Sequence, residues 1–111
     1  METCYIGLGS NLGNREKNIR EALRLINAVP GARVDKASSF YETEAQGYPV
    51  HSQRFINSAA RLQVSLTPSQ LLKIFQGIEI KLGRKRRRIR NSPRPIDIDI
   101  LFYGDKIINT L

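Results

Sequence analysis

The stretch Pro95-Ile96-Asp97-Ile98-Asp99-Ile100-Leu101-Phe102 alternates apolar and polar side chains as a half-buried β-strand does. Residues two apart on a strand share a face. The pattern therefore turns Ile96, Ile98, Ile100 and Phe102 toward a core and brings Asp97 and Asp99 out together on the opposite face. At a rise of about 3.3 Å per residue the two carboxylates stand roughly 6–7 Å apart at Cβ. Two readings follow from spacing alone. The pair can hold a divalent cation, and an all-oxygen donor set suits Mg²⁺. Alternatively, it is a charge device that keeps an edge strand from pairing with another chain.

The segment upstream weighs on that choice. Lys81 to Arg94 contains Lys81, Arg84, Lys85, Arg86, Arg87, Arg88, Arg90 and Arg94 and no acid. These are eight of the chain's 18 basic residues; the other ten balance its ten acids, so the whole net charge of +8 sits in one stretch. Such a tract is an anion-binding surface or a solvated charge run. Arginine offers paired donors to phosphate oxygens, and cations beside a metal-binding carboxylate pair are the recurring apparatus of phosphoryl transfer. Nucleic acid is disfavoured: the strand aromatics of an RNA-recognition signature are missing, and bare aspartates repel phosphates.

Working outward, residues 3–9 read as a strand and residues 10–14 as a turn-rich loop in which Asn11 or Asn14 caps a helix. Ile19, Ala22, Leu23, Ile26 and Val29 recur at helical spacing over 15–29, before Pro30-Gly31. Residues 32–43 read as a second strand and 44–53 as a loop. Residues 54–65 alternate, with Ile56, Ser58, Ala60, Leu62 and Val64 on one side and Phe55, Asn57, Ala59 and Arg61 on the other. Thr67-Pro68-Ser69-Gln70 is a helix start, with Thr67 as N-cap and Gln70 completing a capping box. Leu71, Leu72, Phe75, Ile78 and Leu82 form that helix's stripe, and Gly83 ends it. After the aspartate strand, Gly104-Asp105 turns the chain into a short strand over 106–109. The order βαββαβ is the ferredoxin-like α+β pattern, an antiparallel sheet with both helices on one face. The aspartates then lie on the open face.

Other features narrow the function. Gly7-Leu8-Gly9-Ser10-Asn11-Leu12-Gly13 is one residue too long for a dinucleotide fingerprint and carries no Gly-Lys-Ser/Thr, so it reads as a tight strand-to-helix turn. Phe55 and Asn57 share a strand face, where an amide can read the edge of a heterocycle and an aromatic can stack on it. A solvated Asn and a packed Phe fit the pattern equally well. His51 reads as a surface residue. The single cysteine, Cys4, makes no internal disulfide and falls in the first apolar strand, where it reads as an inert buried side chain. With 41% apolar residues, no membrane-length apolar run and no secretory pattern at Met1-Glu2-Thr3-Cys4, the expectation is one cytoplasmic domain of 111 residues.

Taken together, Gly9-Ser10-Asn11-Leu12-Gly13, Ser38-Ser39-Phe40-Tyr41-Glu42-Thr43, Phe55-Ile56-Asn57-Ser58-Ala59, Ile78-Glu79 with Leu82-Gly83-Arg84, and Pro93-Arg94-Pro95-Ile96-Asp97-Ile98-Asp99-Ile100-Leu101 resemble the 6-hydroxymethyl-7,8-dihydropterin pyrophosphokinases of folate biosynthesis. The resemblance runs along the whole chain to Ile107-Ile108-Asn109-Thr110. It implies transfer of diphosphate from ATP to the hydroxymethyl oxygen of a dihydropterin, with release of AMP. It implies that Asp97 and Asp99 hold two Mg²⁺ ions between the ATP phosphates and the attacking hydroxyl. Arg84 and Arg94 are then catalytic. Glu79, Arg84, Arg86, Arg90, Arg94 and Ile100 fall at the nucleotide, and Thr43, Phe55 and Asn57 at the pterin.

The chain departs from the family pattern in three respects. Glu44 stands where a proline usually follows the threonine. Asn91 stands where some members have a tryptophan that caps the pocket. The resemblance also implies a further C-terminal segment, which in the family supplies a histidine, an arginine and a second aromatic. Without it the expectation is a C-terminally truncated pyrophosphokinase-like domain, either an active enzyme or an inactive remnant of one, whose uncovered apolar surface allows a homodimer.

Overall fold

The computed structural model describes residues 1–45, 47, 53–83 and 93–108. Along them run β1 (Glu2–Ser10), α1 (Arg15–Asn27), β2 (Ala32–Ala37), β3 (Tyr41–Thr43), β4 (Phe55–Val64), α2 (Pro68–Lys81), β5 (Asp97–Tyr103) and β6 (Lys106–Ile107). The strands form one antiparallel sheet in the order β2-β4-β1-β5-β6, with β3 paired to the far part of β4. With β2 and β3 counted as one interrupted strand, this is the ferredoxin-like α+β arrangement. Arg84, Arg86, Arg90 and Asn91 of the basic tract, His51 and Asn109 lie outside the described residues.

The core fills the space between the helices and one face of the sheet. Cys4, Ile6 and Leu8 of β1, Ile56, Ala60, Leu62 and Val64 of β4, and Ile98 and Ile100 of β5 meet Ile19, Ala22 and Ile26 of α1 and Leu71, Phe75 and Ile78 of α2. The alternation along β4 is complete, every second residue from Ile56 to Val64 being buried. Asn14 caps α1 by accepting the Lys17 N–H at 3.1 Å. The capping box of α2 has both its bonds, Gln70 N–H to Thr67 Oγ1 at 3.2 Å and Thr67 N–H to Gln70 Oε1 at 2.9 Å. No helix among the described residues is long and apolar enough to cross a membrane.

Three expectations change. The single strand over 32–43 is two, because the Ser38 hydroxyl inserts into the ladder. It accepts the Ala59 N–H at 2.8 Å and lies 3.2 Å from Ser58 Oγ, breaking the run before Tyr41. Phe102 leaves the core: the β1–β5 register shifts between Tyr5 and Ile6, so Phe102 turns outward against Tyr5 in an edge-to-face pair with centroids 6.2 Å apart. Tyr103 takes the inward position, donating its hydroxyl to Leu66 O at 2.7 Å. Leu72 is exposed, outside the buried stripe of α2. Gly7 and Gly9 lie in β1, as the strand over 3–9 predicts, and the turn begins only after Ser10.

Candidate functional site

The open face of the sheet carries a cleft of about 280 Å³. Its floor is β1, where Gly7 and Gly9 face outward without side chains. Gly9 pairs with Asp97 on one side and Asn57 on the other; Gly7 pairs with Asp99 and Ala59. Asp97, Gly9, Asn57 and Tyr41 thus form one row across four strands. The carboxylate wall and the amide wall stand two strand spacings apart, about 10 Å. A side chain at residue 9 would occupy the space between them, and glycine is the residue that leaves backbone open to a close ligand.

Asp97 and Asp99 sit where the alternation predicts, both partly buried, both lining the cleft. Arg94 approaches them from the turn before β5. Its Nη1 donates to Asp97 Oδ2 at 2.9 Å, with both side chains about four-fifths buried. On the opposite wall Asn57 Nδ2 donates to Thr43 Oγ1 at 2.8 Å, which fixes the orientation of the amide above Gly9. Phe55 and Thr43 are cross-strand partners and line the same end of the cleft. Thr43, Phe55, Asn57, Asp97 and Asp99 therefore converge on one site.

Two predicted residues sit elsewhere. Ile100 is buried in the core, so its side chain lies on the far side of the sheet from the cleft. Glu79 on α2 is 5% exposed, and its Oε2 accepts the Ile98 N–H at 2.9 Å. That N–H belongs to the residue between the two aspartates. Glu79 thus grips the strand that presents them from the helix side.

The donor set fits a hard divalent cation. Asp97 and Asp99 give carboxylate oxygens on one face, and no cluster of three or more His, Cys, Asp or Glu able to hold a metal occurs among the described residues. A site of two carboxylates that leaves remaining positions to water and substrate phosphates is how Mg²⁺ is commonly bound. Sequence reasoning missed two features here, the pair of open-face glycines and Asn11. The open-face glycines were masked by the turn-like composition of residues 7–13; their spacing of two, in phase with Tyr5, was the available signal. Asn11 is the other. It is buried, and its signal was that Asn14 already stood at the better capping position.

Such a face, with paired carboxylates, an oriented amide and an aromatic around a glycine floor, belongs to a ferredoxin-like α+β domain. The family model for 7,8-dihydro-6-hydroxymethylpterin-pyrophosphokinase (HPPK) matches residues 5–111, and the chain belongs to that family. It is 43% identical over 107 residues to the 2-amino-4-hydroxy-6-hydroxymethyldihydropteridine pyrophosphokinase of Bacillus subtilis, covering 96% of this chain and 63% of that protein. The Aquifex aeolicus protein of the same name is 38% identical over 110 residues, covering 99% of this chain and 66% of its own. The folate synthesis bifunctional protein of Arabidopsis thaliana is 46% identical over 112 residues, covering 97% and 22%. The chain thus spans from about a fifth to two thirds of the length of these relatives.

Proposed function

We propose that this chain carries the pyrophosphokinase site that moves diphosphate from ATP to 6-hydroxymethyl-7,8-dihydropterin. The hydroxymethyl oxygen gives up its proton to solvent and forms a bond to the β-phosphorus, the bond from that phosphorus to the α,β-bridging oxygen breaks, and AMP leaves with that oxygen. The observation that carries this reading is the row Asp97–Gly9–Asn57, which sets a metal-type carboxylate wall about two strand spacings from a heterocycle-reading amide.

Asp97 and Asp99 would hold Mg²⁺, which when bound neutralises charge on the attacking and leaving oxygens of an in-line displacement. Asn57, its amide fixed by Thr43, reads the donor and acceptor edge of the pterin, and Phe55 supplies an apolar wall. Arg94, already turned toward Asp97, adds positive charge where phosphate oxygens gather. Glu79 contributes by holding β5 at Ile98. Ile100 reaches a nucleotide only through its backbone. Arg84, Arg86 and Arg90 supply the remaining cations in this reading.

The test is AMP release from MgATP by the purified chain, with and without the dihydropterin, against Asp97→Ala and Asp99→Ala. Pterin-dependent AMP that disappears in both variants is expected. AMP formation equal to the variants' background overturns the activity for this chain.

A further inference from the structure

Asn11 and Arg94 are joined twice, although 83 residues separate them. The Asn11 N–H donates to Arg94 O at 3.0 Å, and Asn11 Oδ1 accepts the Arg94 N–H at 2.7 Å. The carboxamide thus imitates a strand neighbour and gives Arg94 a closed two-bond link outside any ladder. Asn11 is 1% exposed. Its own position is braced on both flanks, since Asn18 Nδ2 donates to Ser10 Oγ at 3.3 Å and to Leu12 O at 2.9 Å.

The guanidinium at the other end is less firmly held. Nη1 bonds Asp97, but Arg94 Nε is buried with no partner among the described residues, as is Asn11 Nδ2. Buried donors without acceptors are uncommon and costly, and where they persist they mark strain or function. The Arg94 head group is therefore not fixed by a full set of its own bonds. Its location follows from the anchored backbone, and both polar backbone groups of residue 94 go to Asn11.

We propose that Asn11 is a positioning residue for Arg94, a latch that sets the guanidinium beside Asp97 where an oxyanion of the phosphoryl class is received. The part concerning the anion rests on the reading under Proposed function; the latch itself does not. Only the carboxamide oxygen is used, so aspartate at this position preserves the latch and alanine removes it.

The experiment measures amide hydrogen exchange and MgATP affinity in the wild type, Asn11→Ala and Asn11→Asp. In Asn11→Ala the Arg94 amide should exchange at least about tenfold faster while the amides of Ile6 and Leu62 keep their protection, and MgATP should bind about tenfold more weakly. Dihydropterin affinity, set by Asn57 and Thr43, should be unchanged. Asn11→Asp should restore protection at Arg94. Unaltered exchange at Arg94 in Asn11→Ala overturns the latch, as does loss of that protection in a folded Asn11→Asp. A freed Arg94 amide with wild-type MgATP affinity overturns its part in anion binding. A wild type that binds no MgATP refutes the proposed function, and the exchange readout still decides the latch. Should Asn11→Ala fail to fold, Asn11→Asp decides it alone.

Discussion

Gly9 lies opposite Asn57 so closely that a Cβ added to residue 9 would sit 3.1 Å from Asn57 Oδ1 and 3.4 Å from Phe55 Cδ1. Its neighbour Gly7 is roomier: the nearest atoms to a Cβ there belong to the Leu101 side chain, with Cδ1 at 3.6 Å. Gly9→Ala should therefore displace the amide and ring that form one wall of the cleft. Dihydropterin affinity should fall about tenfold, the cost of roughly one hydrogen bond. Gly7→Ala should leave it nearly unchanged. Calorimetric titration of both variants checks this, and equal affinities would remove Gly9 from the site.

Glu79 gives a second prediction, about the strand beneath the aspartates. Removing its carboxylate strands a backbone N–H at Ile98. Glu79→Leu should cost about 3 kcal/mol of unfolding free energy and Glu79→Gln, which keeps an acceptor, about half of that. Chemical denaturation of the three proteins gives the values. A Glu79→Leu protein as stable as wild type would show that β5 needs no support from α2.

The third concerns Cys4, fully buried in β1, where burial pushes the thiol from 9.0 up to about 11. The fold resists the thiolate, so the folded chain keeps this proton to higher pH than the unfolded chain. The thiol's contribution to stability is whole below pH 9 and declines as pH rises toward 11, by about 1.4 kcal/mol per unit within that window. Urea midpoints at pH 8 to 11 for wild type and Cys4→Ala isolate the effect, because every other group titrates in both. Parallel profiles would contradict it.

Much of this was legible because local rules and the global fold agree. The two-residue period of β4, the capping box at Thr67 and the Asp-x-Asp strand each follow from short-range chemistry, and the sheet only had to accept them. What was hidden depends on partners distant in sequence. Phe102 reads as a core residue until the β1–β5 register slips beside Ile6. The Ser38 break is invisible without Ala59, whose N–H its hydroxyl takes. Gly9 reads only as the end of a strand until Asn57 and Asp97 stand on either side of it. Asn11 looks like a second-choice helix cap until Arg94 arrives. The carboxylates declared themselves in the sequence, whereas the floor between the walls and the latch behind them required the topology.

The central place of β1 also sets a timetable. During synthesis from the N-terminus, β1 and β4 can zip together as soon as residue 64 is available. The other edge of β1, from Cys4 to Gly9, then waits bare until β5 emerges more than thirty residues later. An unpaired edge of this kind is a template for wrong partners, and contacts between distant parts of a chain close slowly. The nascent chain is therefore most vulnerable to misassembly in that interval, while the arginine-rich stretch is being made.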